Sequence, residues 1–214
     1  MPFEETCSEI DKLYKEGKFE QFGLSNFAAW EVAEVVMTCR AKGFVQPRIY
    51  QGECADRTKV RLEADHRLRC LEAMYNAITR SAEEELLPAC RKYGLRIVVY
   101  TPLAGGFFAG KITSNDTSSV EPGSRFDKSS RVGQMYVQRY VNDGYLRALN
   151  HIKPVVEKNG LRLTETALRW MQHHSKLDEK DGVIIGASSL QQVSAGPEGL
   201  AAFPSMPNTR ISLA

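Results

Sequence analysis

A glycine-rich loop with an adjacent lysine has residue types and spacing that could do chemistry. Gly105, Gly106 and Gly110 lack side chains, so backbone amides in this loop can approach the oxygens of a phosphate group closely. Lys111 follows directly and adds a positive charge. The spacing predicts an anion-binding loop.

A second candidate for anion binding follows the apolar run GVIIGA. Gly186, Ser188 and Ser189 stand where a helix is predicted to begin. Backbone amides at a helix N-terminus, with hydroxyl groups nearby, form a ready anion site. The alternative is that the two serines only cap the helix.

Polar or aromatic residues end three further apolar runs. Ser25 and Asn26 are the last two residues of FEQFGLSN, Gln51 is the second-to-last residue of PRIYQG, and Tyr100 is the last residue of RIVVY. The carboxyl ends of parallel strands are where sites form in barrels, so these residues are candidates for ligand binding. Two alternatives stay open: the Ser-Asn pair forms an Asx or Ser turn, and the tyrosine packs in the core.

The elements that must position these residues alternate along the chain. The four runs are short, RIVVY and GVIIGA are rich in β-branched residues, as strands are, and amphipathic segments lie between the runs. Alternating strands and helices predict a parallel sheet with right-handed crossovers. Residues 104 to 135 are rich in Gly, Ser, Asp and Lys and predict a long connection. Helices are predicted at 5–16, 30–39, 81–94, 136–158 and 164–174, with Thr164 as an N-cap.

Two architectures are compatible with this alternation. A doubly wound dinucleotide fold would carry G-x-G-x-x-G after its first strand, and that spacing occurs nowhere in the chain. A TIM barrel is therefore favoured. Four βα units are half of the eight that close such a barrel, so we expect the interior face and one edge of the sheet to lie open.

Composition excludes several classes of function. The 214 residues include 28 Lys and Arg against 26 Asp and Glu, a net charge of +2 with no basic block, so nucleic acid is not expected as a partner. No apolar run approaches the roughly 20 residues of a membrane span, and no membrane partner is expected. The five cysteines lie far apart, which indicates free thiols in a cytoplasmic protein and no metal site.

Several strings in order resemble the aldo-keto reductases, most closely the aflatoxin-aldehyde reductase branch. They are GKFEQFGLSNFAAWEV, IYQG with MYNAITR, VVYTPLAGGFFAGK, GSRF, ALRWMQHH and VIIGASSLQQV, and they cover 17–52 and 74–194. The resemblance implies an α/β fold, a partial TIM (β/α)8 barrel containing about the last four βα units. Residues 1–194 would form this truncated domain.

The resemblance implies NADP(H) as the cofactor. Ser25, Asn26 and Gln51 match residues that bind the nicotinamide carboxamide, and Tyr100 matches the aromatic ring that stacks on the nicotinamide. The loop 102–111 matches the cover of the pyrophosphate. The cofactor residues that the resemblance implies are Ser25, Asn26, Gln51, Tyr100, Pro102, Leu103, Gly105, Gly106, Gly110, Lys111, Arg125, Gly186, Ser188, Ser189 and Gln192.

Other matches concern the adenosine 2′-phosphate and the substrate. Gly186, Ser188 and Ser189 match the family's site for that phosphate, which implies NADP in preference to NAD. Tyr136 and Arg139 match residues on the substrate side, although an extra residue precedes them in this chain. The family's substrates are aldehydes and ketones, which it reduces to alcohols.

The chain departs from the family at its proton donor. The family uses a Tyr supported by a Lys, an Asp and a His, all on the first four strands, and these have no counterpart in this sequence. No residue of this sequence is expected to take the place of that proton donor. A solvated or packing role is expected of the tyrosine and histidines that lie outside strand ends, which are Tyr14, His66, His151, His173 and His174. We therefore expect no catalytic residue, and no activity from the chain alone.

Two further segments break the pattern. Residues 53–73 interrupt the family sequence; Cys54, His66 and Cys70 there fit no common zinc spacing, so an inserted helix or a disordered loop is expected rather than a metal site. Residues 195–214 replace the family's last helix, and their prolines and glycines predict a disordered tail.

Three interpretations of function stay open. The first is an NADP-dependent oxidoreductase that needs the missing half from another chain. The second is a non-catalytic binding or regulatory fragment that associates with full-length reductase subunits as a homo- or hetero-oligomer. The third is a variant transcript or incomplete gene model without a separate role.

Overall fold

The computed structural model describes residues 2–51, 74–117, 120–187 and 210–213. The segment 53–73 and most of 195–214, for which an insert and a disordered tail were predicted, lie outside these residues. No helix in the described ranges is long and apolar enough to cross a membrane. The helices are α1 Phe3–Lys15, α2 Ala29–Lys42, α3 Leu86–Tyr93, α4 Arg131–Tyr140, α5 Asp143–Lys158 and α6 Leu163–His173. The strands are β1 Phe22–Leu24, β2 Pro47–Gln51, β3 Arg96–Tyr100, β4 Gly182–Ala187 and β5 Arg210–Leu213.

The strands form one parallel sheet in which the order in space is the order along the chain. The α/β class with a parallel sheet is thus confirmed, and β1 to β4 fall within the four runs that the sequence predicted. The sequence did not predict β5, which pairs in parallel with β4 in the register Ile184 to Arg210. Its four residues belong to the tail that was expected to be disordered.

The two faces of the sheet differ in burial. Tyr50, Ile97, Val99, Val183 and Ile185 lie on one face and are buried in a core with α1, α2, α3 and α6. The residues between them point to the other face. There the central side chains are only half-buried: Ile49, Val98 and Ile184. Helices therefore cover one face of the sheet, and the described residues leave the other face open.

A second apolar cluster lies beyond the sheet. It joins the 3₁₀ helix Ala104–Ala109, the following loop and helices α4 to α6. Phe107, Phe126 and Tyr140 form its centre, with ring centroids between 6.0 and 6.5 Å apart. The connection that sequence composition suggested as a long loop thus has an aromatic core of its own.

Three helix predictions need correction. The predicted helix 136–158 is interrupted after Tyr140, because the side chain of Asn142 caps a new helix by accepting a hydrogen bond from the Tyr145 amide. Helix α3 begins only at Leu86, which puts Pro88 in its first turn, where the missing N–H costs nothing. Thr164 lies inside α6 and is not its cap.

A buried carboxylate connects β3 to the turn before β4. The Asp181 side chain is 1% exposed and forms a two-pronged ion pair with Arg91, one prong of which measures 2.9 Å. The same carboxylate accepts hydrogen bonds from the backbone amides of Ile97 and Asp178, each at 2.9 Å. One side chain therefore satisfies four donor groups from three residues, next to the amino ends of two neighbouring strands.

We expect Asp181→Ala to lower the free energy of unfolding by about 3 kcal/mol, because it removes the buried partner of Arg91 and leaves the amides of Ile97 and Asp178 without this acceptor. Urea unfolding followed by tryptophan fluorescence measures this. The matched control is Asp178→Ala, since Asp178 lies 3.4 Å from Arg91 Nε and is 45% exposed; its cost should stay below about 1 kcal/mol. Equal costs for the two variants would contradict the assignment.

Candidate functional site

The residues predicted at strand ends lie along one edge of the sheet. Ser25 and Asn26 follow β1, Gln51 and Tyr100 are the last residues of β2 and β3, and Gly186 is the second-to-last residue of β4. Because neighbouring strands are about 4.8 Å apart, the four strand ends span roughly 15 Å. All of these residues are exposed except Tyr100, which is half-buried. The carboxyl edge of the sheet is therefore the candidate site.

Backbone strain is concentrated at the same edge. In the described part of the chain, the non-glycine residues with positive φ are Asn26 at 63°, Thr101 at 63° and Ala104 at 51°. They follow β1 and β3 at the carboxyl edge. A positive φ is least tolerated by a β-branched residue such as Thr101, and strained residues of this kind cluster at ligand-binding sites. The strain is therefore an indication of function that residue patterns alone do not provide.

Asn76 holds the strained turn after β3, and no sequence motif singles it out. It is fully buried, its Nδ2 donates to the Thr101 carbonyl at 3.1 Å, and its Oδ1 accepts from the amides of Ile78 and Thr79. The Tyr75 amide also donates to the Tyr100 carbonyl at 3.3 Å. The only signal in the sequence is the asparagine of MYNAITR, and no spacing rule connects it to residue 101.

The glycine-rich loop folds tightly against the aromatic cluster. Pro102 is buried, Leu103 is half-buried, and Gly105 and Gly106 have φ of 65° and 102°. A Cβ on Gly105 would lie 2.1 Å from Tyr136 Cε1, whereas a Cβ on Gly106 would meet nothing within 4 Å. Gly105 thus allows close packing on a ring, and Gly106 leaves its backbone open to solvent. An anion could reach the second position.

The two cations of this region differ in their surroundings. Lys111 Nζ lies 2.7 Å from Glu121, and both side chains are about 70% exposed. This pairing lowers the pKa of the Glu121 carboxyl. Arg125 is exposed and has no carboxylate partner among the described residues; its guanidinium carbon lies 5.8 Å from the centre of the Tyr136 ring. Arg125 is therefore the cation better placed to bind an anion.

The turn around Arg125 is organised by Asp127. Its carboxylate accepts hydrogen bonds from the amides of Gly123 at 2.7 Å and Ser129 at 2.9 Å. These bonds lower the pKa of Asp127, with the Gly123 contribution the largest. Ser130 then caps α4 by accepting from the Gly133 amide. The charged state of Asp127 thus favours the turn that presents Arg125.

The predicted substrate residues lie on α4, beneath the loop. Tyr136 is 6% exposed and packs against Phe126 and Tyr140. Arg139 is half-buried; its Nη1 contacts Met74 Sδ at 2.6 Å, and its Nη2 has no hydrogen-bond partner among the described atoms. The two side chains share a helix face, but the tyrosine is enclosed by other rings.

Not every predicted residue can be placed. Ser188, Ser189 and Gln192 lie outside the described residues, so nothing follows for the predicted 2′-phosphate site beyond Gly186, which has open space around it. A depression of ≈ 560 Å³ lies at the opposite end of the strands and is lined by Arg48, Ile49 and Arg96 among others. Its position at the amino ends of β2 and β3 separates it from the carboxyl edge of the sheet.

Comparison with known proteins agrees with the resemblance to the aldo-keto reductases. The aldo/keto reductase family matches residues 1–198. An aldo-keto reductase of Pseudocercospora fijiensis is 37% identical over 205 residues, which are 95% of this chain and 62% of that protein. Aflatoxin B1 aldehyde reductase member 2 is 38% identical in Mus musculus and 37% identical in Homo sapiens, over 90% of this chain and 48% and 49% of those proteins. The chain thus spans about half the length of these relatives.

We expect Gly105→Ala to destabilise the protein more than Gly43→Ala does. The two glycines have nearly equal φ, 65° and 69°, so both variants bear the same strain of roughly 1–2 kcal/mol. Only Gly105 faces a ring, and a Cβ on Gly43 would meet nothing within 4 Å. The collision should lower the free energy of unfolding, measured with urea, by about 1–3 kcal/mol more. Equal losses would show that the loop moves away from Tyr136 freely.

Proposed function

This chain belongs to the aldo/keto reductase family, and on that premise we propose that it forms the NADP(H)-binding side of a reductase acting on aldehydes or ketones. The proposal includes the architecture: β1 to β4 would be the last four βα units of a TIM (β/α)8 barrel, and a further half would complete the barrel. A cytoplasmic location is part of the proposal and agrees with the free thiols of Cys7, Cys39 and Cys90.

The observation that carries the proposal is the alignment of candidate residues along the carboxyl edge of the sheet. Sites of parallel barrels form at this edge. The strained residues Asn26 and Thr101 lie there, and so does the loop that begins at Pro102. The positive φ of Thr101 carries most of this weight, because asparagine adopts such a conformation readily and a β-branched residue rarely does.

The described residues fit a dinucleotide that carries phosphates. Gly106 and Gly186 both leave open space where a Cβ would stand, so a ligand could approach the backbone. Arg125 offers an exposed guanidinium, which can bind phosphate oxygens in two-pronged fashion. Ser25, Asn26 and Gln51 offer amide and hydroxyl groups for a carboxamide, and the half-buried ring of Tyr100 offers a surface for stacking.

Reduction of a carbonyl needs a hydride, which NADPH supplies when bound, and a proton for the oxygen. A general acid works best when its pKa lies near the working pH. Burial instead raises the pKa of Tyr140, and burial also raises the pKa of Tyr75, whose hydroxyl donates to Glu83. Neither tyrosine suits proton donation at neutral pH. Because residues 1–214 also hold no counterpart of the family's Tyr, Lys, Asp and His, we propose that the residues for proton transfer lie outside this sequence.

We expect the chain alone to bind NADPH about tenfold more tightly than NADH, because charge-assisted contacts to one more phosphate contribute at that scale. We also expect it to reduce a reactive aldehyde no faster than buffer, since general acid catalysis alone supplies roughly 10²- to 10⁴-fold. Fluorescence titration and the loss of NADPH absorbance measure the two quantities. Arg125→Met should remove most of the binding, and Lys158→Met, at the far end of α5, is the matched control.

Equal affinity for the two cofactors would contradict the phosphate assignment. Turnover well above buffer would contradict the assignment of proton transfer to residues outside this sequence. Absence of any binding to either cofactor would contradict the proposed function as a whole.

A second candidate function is association with a full-length reductase without catalysis of its own. The specific observation is the open face of the sheet, where Ile49, Val98 and Ile184 are only half-buried among the described residues. In a closed parallel barrel such side chains are covered by interior packing. Covering this face in a partner would contribute about 25 cal/mol per Å² of apolar surface removed from water.

We expect the wild-type chain to elute from a sizing column as an oligomer and to bind a hydrophobic dye. Val98→Glu, on the open face, should reduce both the oligomeric fraction and the binding of the dye, since a charge there opposes burial. The matched control is Val155→Glu on α5, because Val155 is 57% exposed and lies away from the sheet. A compact wild-type monomer with a sharp cooperative unfolding transition would contradict this alternative.

A further inference from the structure

Tyr136 is enclosed by the protein, which is unusual for a residue that contacts substrate. The residue is 6% exposed, and its ring lies edge-on to Phe126, with centroids 5.8 Å apart and planes at 72°. Tyr140 lies 5.9 Å away on the same helix. Little of the ring is left for contact with a small molecule, so another role has to account for its position.

The Cδ1–Cε1 edge of this ring sets the path of the glycine-rich loop. A Cβ on Gly105 would lie 2.1 Å from Cε1 and 2.5 Å from Cδ1, so the Gly105 backbone rests directly on the ring. The next residue, Gly106, is exposed and has open space around it. The ring edge therefore fixes the position of the Gly106 backbone relative to Tyr136.

The same ring also contacts the segment that carries Arg125. The guanidinium carbon of Arg125 lies 5.8 Å from the ring centroid, within the range of a cation–π interaction. Its neighbour Phe126 is buried against the ring, so the backbone on one side of Arg125 is anchored there as well. A long cationic side chain that is otherwise exposed is thereby restricted to few rotamers.

We infer that Tyr136 is a positioning residue, whose ring holds the Gly105–Gly106 backbone and the Arg125 guanidinium at a fixed separation so that both can meet one phosphate-bearing ligand. This inference rests on the proposed function for the identity of the ligand. Ordering Arg125 before binding removes part of the entropy cost of association. The aromatic ring, not the hydroxyl, does this, and Tyr136 acts through Arg125 and the loop without touching the aldehyde.

The first test needs no cofactor. Trypsin cleaves after arginine only where the chain can open, so the rate of cleavage at the Arg125–Phe126 bond, followed by mass spectrometry, reports how firmly the segment is held. We expect Tyr136→Leu to raise that rate at least threefold and Tyr136→Phe to leave it unchanged. Cleavage after Arg147, within α5, is the internal control for general loosening. If the Leu variant is cleaved faster at both sites, Tyr136→Met replaces it, because the unbranched Met side chain adapts better to an irregular cavity.

The second test measures NADPH affinity by fluorescence titration in a double-mutant cycle. We expect Tyr136→Leu to weaken binding roughly three- to tenfold, from the lost cation–π contact and the lost ordering of Arg125. Tyr136→Phe should bind within twofold of wild type. In the Arg125→Met background the Leu substitution should lose most of its effect, because the two residues act as a unit. A merely structural role would lower stability without this non-additivity.

Several results would overturn the inference. Unchanged cleavage at Arg125 in a folded Leu or Met variant would do so, and so would an effect on NADPH binding that is equally large in the Arg125→Met background. A Phe variant as impaired as the Leu variant would assign the role to the hydroxyl. If the wild-type chain binds neither NADPH nor NADH, the proposed function fails. The cleavage experiment then still decides whether Tyr136 holds Arg125.

Discussion

Parallel pairing of consecutive strands is the constraint on which the rest of the structure depends. Because β1 to β4 lie side by side in chain order, every crossover must carry the chain back over one face, and the helices gather there. The same pairing brings the carboxyl ends of all four strands to one edge. Residues as far apart in sequence as Asn26 and Gly186 therefore share a surface, although they have no direct contact. Asp181 and Arg91 stabilise the opposite edge of this arrangement between β3 and β4.

The loop after β3 obeys a different constraint, since it is held by its own aromatic cluster rather than by the sheet. Phe107, Phe126 and Tyr140 pack together over α4 to α6. The placement of Gly105 and Arg125 consequently depends on ring packing between the loop and a helix that follows it in the chain. Strand ends fix one half of the candidate site, and this aromatic packing fixes the other half.

Whether a feature could be predicted from the sequence depends on how far apart along the chain the interacting residues lie. Strands β1 to β4 were predicted because periodicity is a local property, and so is the β-branched composition of RIVVY and GVIIGA. The helix break at Asn142 was missed because a single side-chain cap competes with a continuous amphipathic pattern. The strain at Thr101 and the supporting role of Asn76 could not be predicted, since they arise from a hydrogen bond across 25 positions. The burial of Tyr136 depends on ring contacts that no spacing rule specifies.

Asn76 explains how the strained turn can persist. A β-branched residue at φ of 63° costs on the order of 1–3 kcal/mol, which a surface turn would relieve by changing conformation. In this turn the Thr101 carbonyl accepts from Asn76 Nδ2 and from the Ala104 amide, so relaxation would take from the fully buried Asn76 amide group the shorter of its two hydrogen bonds and leave it only the Tyr140 hydroxyl at 3.5 Å. Losing such a bond costs about as much as the strain itself. The turn is therefore formed before any ligand arrives, and the backbone from Thr101 to Gly106 does not have to order on binding, which favours affinity at this edge of the sheet.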